Sequence, residues 1–175
     1  WRMEEVGGEF IQTESEVAAI NMLYGAVACG ARALSSSAGP GFTLKQEGIT
    51  YLCAAELPAV IVDVQRIGNG LGDIAQGQGD YWQMTRGGGN GDYRTIVLAP
   101  ASVQESVDLI YESFDLAEKY RHPVIIGSDA AIGQMVEPVE LPEFKEYDIN
   151  KYDWAAKGHK PGTDQKIVTN LWYTS

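Results

Sequence analysis

Apolar positions along the chain follow two rhythms. Three short runs, "AVIVDV" (59–64), "RTIVLA" (94–99) and "PVIIGS" (123–128), are apolar without alternation. Runs of that kind suit strands covered on both faces, as in a parallel sheet. Between the second and third, Val103, Val107, Ile110, Phe114 and Ala117 recur at helical spacing, which predicts a helix over 102–120. Ser102 followed three residues later by Glu105 makes a capping box at its start. The pattern also predicts helices over 15–30 and about 42–55, with "ARALSSS" as a strand between them. Strands alternating with helices give a doubly wound α/β domain, its sheet mainly parallel with helices on both faces.

Two segments break the rhythm. Residues 66–92, "RIGNGLGDIAQGQGDYWQMTRGGGNGD", are glycine-rich and almost without period. A loop of that length in a compact domain is usually functional or mobile. Residues 143–165 are polar and turn-rich, with a turn expected at Lys160-Pro161-Gly162. The expected division is an α/β domain over 1–142 and, over 143–175, a polar linker and the start of a next domain. The chain opens at Trp1 without an initiator methionine and ends just after the strand-like "KIVTNLWYT". The expectation is therefore a piece of a longer protein, with part of the N-terminal domain missing.

Composition narrows the classes. An apolar share of 45% and a charged share of 21% are those of a globular domain. The net charge of −11, with no basic stretch against it, argues against a broad grip on nucleic acid or anionic lipid. No apolar run approaches the roughly 20 residues that span a bilayer, and a cytoplasmic location is expected. Cys29 and Cys53 read as small core residues in a reducing compartment. Two thiolates cannot hold an iron–sulfur cluster alone, which takes about four.

Familiar catalytic patterns are mostly absent. "GPGFTLK" lacks the spacing of a phosphate-binding loop, and Gly68/Gly70/Gly72 and Gly87/Gly89/Gly91 miss the dinucleotide fingerprint. Ser35 in "SSSAGPG" stands where a nucleophile elbow needs glycine. His122 and His159 read as surface histidines without metal-ligand partners, so no metal site is expected. Asp73, Asp80 and Asp92 read as turn residues. Two positions leave a choice open. Thr13-x-x-Glu16 fits a capping box, so Glu16 is either a helix cap or a carboxylate held for chemistry. In favour of the second, Ala18, Ala19, Gly25, Ala26, Ala28 and Gly30 let this helix pack closely, and a buried carboxylate suits proton traffic. Arg66, just past the 59–64 strand, is either a surface ion pair or a guanidinium placed to bind a substrate carboxylate through two hydrogen bonds.

The continuous stretch "ESEVAAINMLYGAVACGARALSSSAGPGFTLKQEGITYLCAAELPAVIVDVQRIGNGLG", then "QGDYWQMTRGGGNGDYRTIVLAPASVQE" and "RHPVIIGSDAAIGQM", closely resembles the α subunit of 2-oxoacid:ferredoxin oxidoreductases. The similarity covers about residues 8–140. The "GGGNGDYRTIVLAPASVQE" portion looks most like the 2-oxoisovalerate member; the 2-oxoglutarate member shares "ESE…SSSAGPG" but is less similar there. The resemblance implies the domain that holds the aminopyrimidine half of thiamine diphosphate. It implies that Glu16 contacts the pyrimidine nitrogen and so activates the cofactor, with Ser37, Gly39, Pro40 and Gly41 around it. It also implies that Arg66 lies near the substrate carboxylate. Its reaction is oxidative decarboxylation of a 2-oxoacid, with coenzyme A taking the acyl group and electrons passing to ferredoxin. The "YPITP"-like substrate loop, the G-D-G…N motif and a cysteine cluster are missing from this chain. By the resemblance, magnesium, the diphosphate site and the iron–sulfur clusters belong to other subunits. Those partners are a β subunit, which the close-packed helix would meet, and a ferredoxin-like iron–sulfur subunit. The isolated piece would be inactive. The alternatives are a 2-oxoglutarate enzyme and a non-catalytic nucleotide-binding module using its glycine loops.

Overall fold

A computed structural model describes residues 2–69 and 72–156. The first regular helix, α1 (Glu16–Ala28), is followed by β1 (Leu34–Ser37), α2 (Pro40–Leu44), α3 (Gln46–Ala54) and β2 (Val60–Gln65). Next come α4 (Tyr81–Arg86), β3 (Ile96–Leu98), α5 (Val103–Tyr120), β4 (Val124–Asp129) and α6 (Ala130–Gln134). The four strands pair in the order β1-β2-β4-β3, all parallel. The doubly wound expectation holds.

Strand geometry explains why both central runs carry apolar residues on both faces. Successive side chains point to opposite faces, so Ile61 and Ile125 join Ile20, Leu23, Val27, Ile49 and Leu52 of α1 and α3. Val60, Val62 and Ile126 face the other way, onto Leu109, Ile110 and Phe114 of α5. Each such aliphatic side chain contributes about 1.5–3 kcal/mol when fully buried. The 94–99 run departs from expectation: β3 is a strand of three half-buried residues which, among the described residues, pairs with β4 alone. The helix expected over 42–55 is two helices meeting at Lys45, and it begins earlier because Pro40 supplies a preset first turn. The glycine-rich stretch holds α4 within it.

Helix starts decide where side chains point. Ser102 caps α5 by accepting from the Glu105 amide at 3.1 Å, while Glu105 reaches back to the Ala101 amide at 2.7 Å. At α1 the cap is Ser15, whose hydroxyl accepts from the Ala18 amide at 3.3 Å. The Thr13–Glu16 capping box is not formed, because Thr13 Oγ1 donates to the Ser15 carbonyl instead. Glu16 is thereby the first helical residue, its carboxylate not engaged in capping.

The polar segment after residue 142 lies against the domain as far as Ala156. Tyr147 donates to the Gly30 carbonyl at 2.6 Å, and the Ala156 amide donates to the Ala28 carbonyl at 2.8 Å. Gly30 is required here: φ is +91°, and a Cβ would lie 2.8 Å from the Ile149 carbonyl oxygen. Arg32 binds Glu118 at 2.6 and 2.8 Å and also pairs with Asp115; Tyr152 donates to Glu118 at 2.7 Å. The turn expected at 160–162, the strand-like 166–174 and His159 lie outside the described residues. Among the described residues, no helix is long and apolar enough to cross a membrane.

Of the two cysteines, Cys53 packs against the core and Cys29 does not. Both are free: Cys29 is exposed at the end of α1, and Cys53 is half-buried. Burial pushes the Cys53 thiol up to about 12, which keeps it protonated and unreactive. His122 is no plain surface residue either. It is half-buried, with Nε2 against the Arg94 carbonyl oxygen at 2.5 Å and 3.8 Å from Cys53 Sγ.

Candidate functional site

Parallel strands put their carboxyl ends on one edge, where open α/β sheets bind ligands. Because α1 leads into β1, its N-terminus returns to that same edge and brings Glu16 with it. β1 ends at Ser37 and turns through Gly39, which takes φ +50°. β2 ends at Gln65, followed by Arg66.

The six positions singled out in the sequence converge. A Cβ added at Gly41 would lie 2.3 Å from Ser37 Oγ and 2.8 Å from Glu16 Oε1. A Cβ at Gly39 would lie 3.1 Å from the Arg66 guanidinium carbon. Only glycine lets α2 approach both groups this closely, and Pro40 stands between as the first residue of α2. Glu16 is half-buried, and none of the described residues donates a hydrogen bond to its carboxylate. It is an acceptor held at the mouth of the edge, where helix polarity also favours negative charge.

Against Gly39, Pro40 and Arg66 opens a cavity of about 660 Å³, lined also by Leu44, Asp80 and Gln83, among others. Asp80 is not a simple turn residue. It is buried, and its Oδ1 accepts from Gln83 at 2.9 Å. Burial raises its carboxyl above the usual range, against the opposing pull of the Gly39 amide and Arg66.

Two charged residues beneath the site were not singled out by sequence reasoning. Lys45 and Asp63 are both wholly buried. Lys45 Nζ donates to Ser35 Oγ and to the Ser36 carbonyl, each at 2.8 Å. Asp63 is registered beside Ser37 in the sheet, and among the described residues neither of its oxygens has a hydrogen-bond partner. Burial first, then Asp80, pushes the Asp63 carboxyl up to about 8, with Lys45 acting the other way. Both carried a signal: a lone acid inside "AVIVDV", and a lone cation one helical turn after Gly41.

The glycine loop at 87–91 does not present an open anion cradle. Its three central amides are taken: Gly88 donates to Gln46 Oε1 at 3.2 Å, Gly89 to the Tyr93 hydroxyl at 2.9 Å and Asn90 to Thr50 Oγ1 at 3.1 Å. A glutamate acceptor, a double-glycine cradle and a guanidinium on one sheet edge suit a flat heteroaromatic group with an acidic co-ligand.

The family model for the thiamine-diphosphate-binding domain of pyruvate flavodoxin/ferredoxin oxidoreductases matches residues 1–170. The chain belongs to that family. It is 54% identical over 167 residues to ketoisovalerate oxidoreductase subunit VorB of Methanothermobacter thermautotrophicus, covering 95% of this chain and 47% of that one. It is 44% identical over 170 residues to 2-oxoglutarate synthase subunit KorA of Methanocaldococcus jannaschii, covering 97% and 46%. The solved 2-oxoglutarate:ferredoxin oxidoreductase from Magnetococcus marinus, with 2-oxoglutarate, coenzyme A and succinyl-CoA bound, superposes with a TM-score of 0.76 at 28% identity. That match covers 97% of this chain and 33% of that one. The chain spans about half the length of the curated relatives it matches.

Proposed function

We propose that this chain is the pyrimidine-binding part of the α subunit of a 2-oxoacid:ferredoxin oxidoreductase that decarboxylates 2-oxoisovalerate oxidatively to an acyl-CoA. The observation that carries the reading is Glu16, an acceptor with no hydrogen-bond donor among the described residues, aimed at the Gly39–Gly41 cradle beside Arg66. Thiamine diphosphate suits these residues: the two glycines bring α2 directly against Ser37, Glu16 and Arg66, and Glu16 offers the acceptor that a protonated ring nitrogen needs. When bound, that cofactor supplies the carbon nucleophile and the electron sink for decarboxylation.

This chain's residues then have separate tasks. Glu16 accepts a hydrogen bond from the pyrimidine nitrogen and holds its proton, with Ser37, Gly39, Pro40 and Gly41 shaping the ring's seat. Arg66 orients the substrate carboxylate through parallel hydrogen bonds. Among the described residues lining the cavity Arg66 is the one cation, and Pro40 and Leu44 line it with apolar surface. A single carboxylate with a branched apolar tail suits that lining better than 2-oxoglutarate, whose second carboxylate needs a further cation.

Magnesium, the diphosphate and the iron–sulfur clusters are assigned to other subunits. Among the described residues no three His, Cys, Asp or Glu side chains gather as metal ligands. The partners are a β subunit, a ferredoxin-like iron–sulfur subunit, ferredoxin and coenzyme A, in the cytoplasm. The test uses the full-length subunit assembled anaerobically with its partners, thiamine diphosphate and magnesium. Coenzyme-A-dependent reduction of a viologen dye is followed with 2-oxoisovalerate and 2-oxoglutarate. The branched acid is expected to be preferred, and Glu16→Gln to lower the rate by roughly 100-fold or more. A variant within a few-fold of wild type would return Glu16 to a structural role, and preference for 2-oxoglutarate would overturn the substrate assignment.

A further inference from the structure

We propose that Lys45 is a positioning residue for this site: its buried ammonium is the counter-charge of Glu16 and fixes the strand end on which the glutamate cradle rests. The proposal builds on the reading of Glu16 given above.

An ammonium removed from water is strongly disfavoured unless it is hydrogen-bonded and paired. Lys45 is 0% exposed at the junction of α2 and α3, yet among the described residues it forms no salt bridge within contact distance. Its hydrogen bonds go to Ser35 Oγ and the Ser36 carbonyl, both in β1 immediately before the Ser37–Gly41 turn. Those bonds tie the start of α3 to the end of β1, across the loop that carries Gly39 and Gly41.

The charge partner follows from position. Gly41 and Lys45 are four residues apart, one helical turn, and so share a face. Gly41 faces the Glu16 carboxylate, and the Lys45 side chain starts one turn further along that face. The charged groups around Lys45 are Glu16 from α1 and Asp63 from β2, with Asp80 ahead of α4 acting on Asp63 and Arg66 acting on Asp80. Burial lowers Lys45, while Glu16 first and Asp63 second pull the other way. Among the described residues Asp63 has no hydrogen-bond donor on either oxygen, and burial pushes its carboxyl up to about 8, toward the neutral form. Glu16 is then the anion that balances the cation. The ammonium, bonded to Ser35 and Ser36, thereby fixes the strand end beside the Glu16 carboxylate that is to accept from a ring nitrogen.

The experiment uses the full-length subunit assembled with its partners and compares wild type with Lys45→Met and Asp63→Asn. Two readouts are taken against pH: dye reduction driven by 2-oxoisovalerate, and, without substrate, the circular-dichroism band of bound thiamine diphosphate that reports its aminopyrimidine tautomer. Lys45→Met is expected to move the acid-side transition of both to higher pH by about one unit or more. Asp63→Asn is expected to leave that transition in place. An unmoved transition in Lys45→Met, whatever happens to its melting temperature, or an equal displacement in Asp63→Asn, would overturn the proposal.

Should Lys45→Met fail to assemble, Ser35→Ala carries the test, because it removes one of the two ammonium hydrogen bonds and keeps the charge. It is expected to weaken thiamine diphosphate binding several-fold, and unchanged affinity would count against the positioning role. Glu16→Gln separates the two levels. If it leaves rate and band unchanged, the reading of the site falls and this proposal with it. If it abolishes both while the Lys45→Met transition stays put, the proposal alone falls.

Discussion

Glu16 and Gly41 meet across the α1–α2 contact, with Glu16 Oε1 2.8 Å from where a Cβ on residue 41 would stand. Gly41→Ala therefore pushes on Glu16 and, at 2.3 Å, on Ser37 Oγ. The expected outcome is a loss of stability of about 1–3 kcal/mol. Thiamine diphosphate affinity should fall on the order of 10-fold, as happens when a group held within about 0.5 Å is displaced. Denaturant unfolding and cofactor titration of the assembled enzyme check the two effects, and unchanged affinity would mean that Glu16 can move aside freely.

Gly25 is the contrasting glycine. It lies inside α1 with nothing within 4 Å of an added Cβ. Gly25→Ala should stabilise the unassembled subunit by about 0.5–1 kcal/mol, through helix propensity alone. Thermal melting decides it, and a lower melting temperature would show that this face is covered within the subunit.

Asp63 gives the molecule an unusual pH dependence. Its folded-state value, about 8, lies above that of an unfolded aspartate, near 3.9. Between those limits the folded chain holds a proton that the unfolded chain has lost, so stability falls as pH rises, by up to about 1.4 kcal/mol per unit. Asp63→Asn should flatten that slope and raise stability at pH 7. Urea unfolding of the full-length subunit at several pH values between 5 and 8 measures it, and an unchanged slope in the variant would assign the dependence to another group.

The Arg32 cluster acts at the opposite end of the scale. The Lys145 hydrogen bond first, and Arg32 with it, holds Asp115 below the usual carboxylate range despite some burial. For Glu118 burial pushes upward, but Arg32 and Tyr152 outweigh it and the net shift is down. Carboxylates depressed on folding contribute stability above their unfolded values, near 4, and lose it as pH falls through the folded ones. Glu118→Gln should cost about 2 kcal/mol near neutrality. The loss should shrink below about pH 4, where the wild-type carboxylate is itself protonated. Equal differences at pH 6 and pH 3 would show that the cluster is not held by charge.

Periodicity along the chain determined the strands, the amphipathic α5 and the α/β class, because burial on one face or two imposes a repeat that can be counted. The glycines at 39 and 41 and the acid at 16 were legible as a local pattern. Their convergence was legible only through family resemblance, since residues on α1, β1 and β2 meet through parallel pairing that spacing does not encode. Tertiary structure decided the rest. It moved the cap of α1 from Thr13 to Ser15, and so left the Glu16 carboxylate turned toward α2. It exposed Cys29, which composition had placed in the core. It also buried Lys45 and Asp63 beneath the site. A charge's partner is set by what packs against it in three dimensions, so their roles waited on the fold.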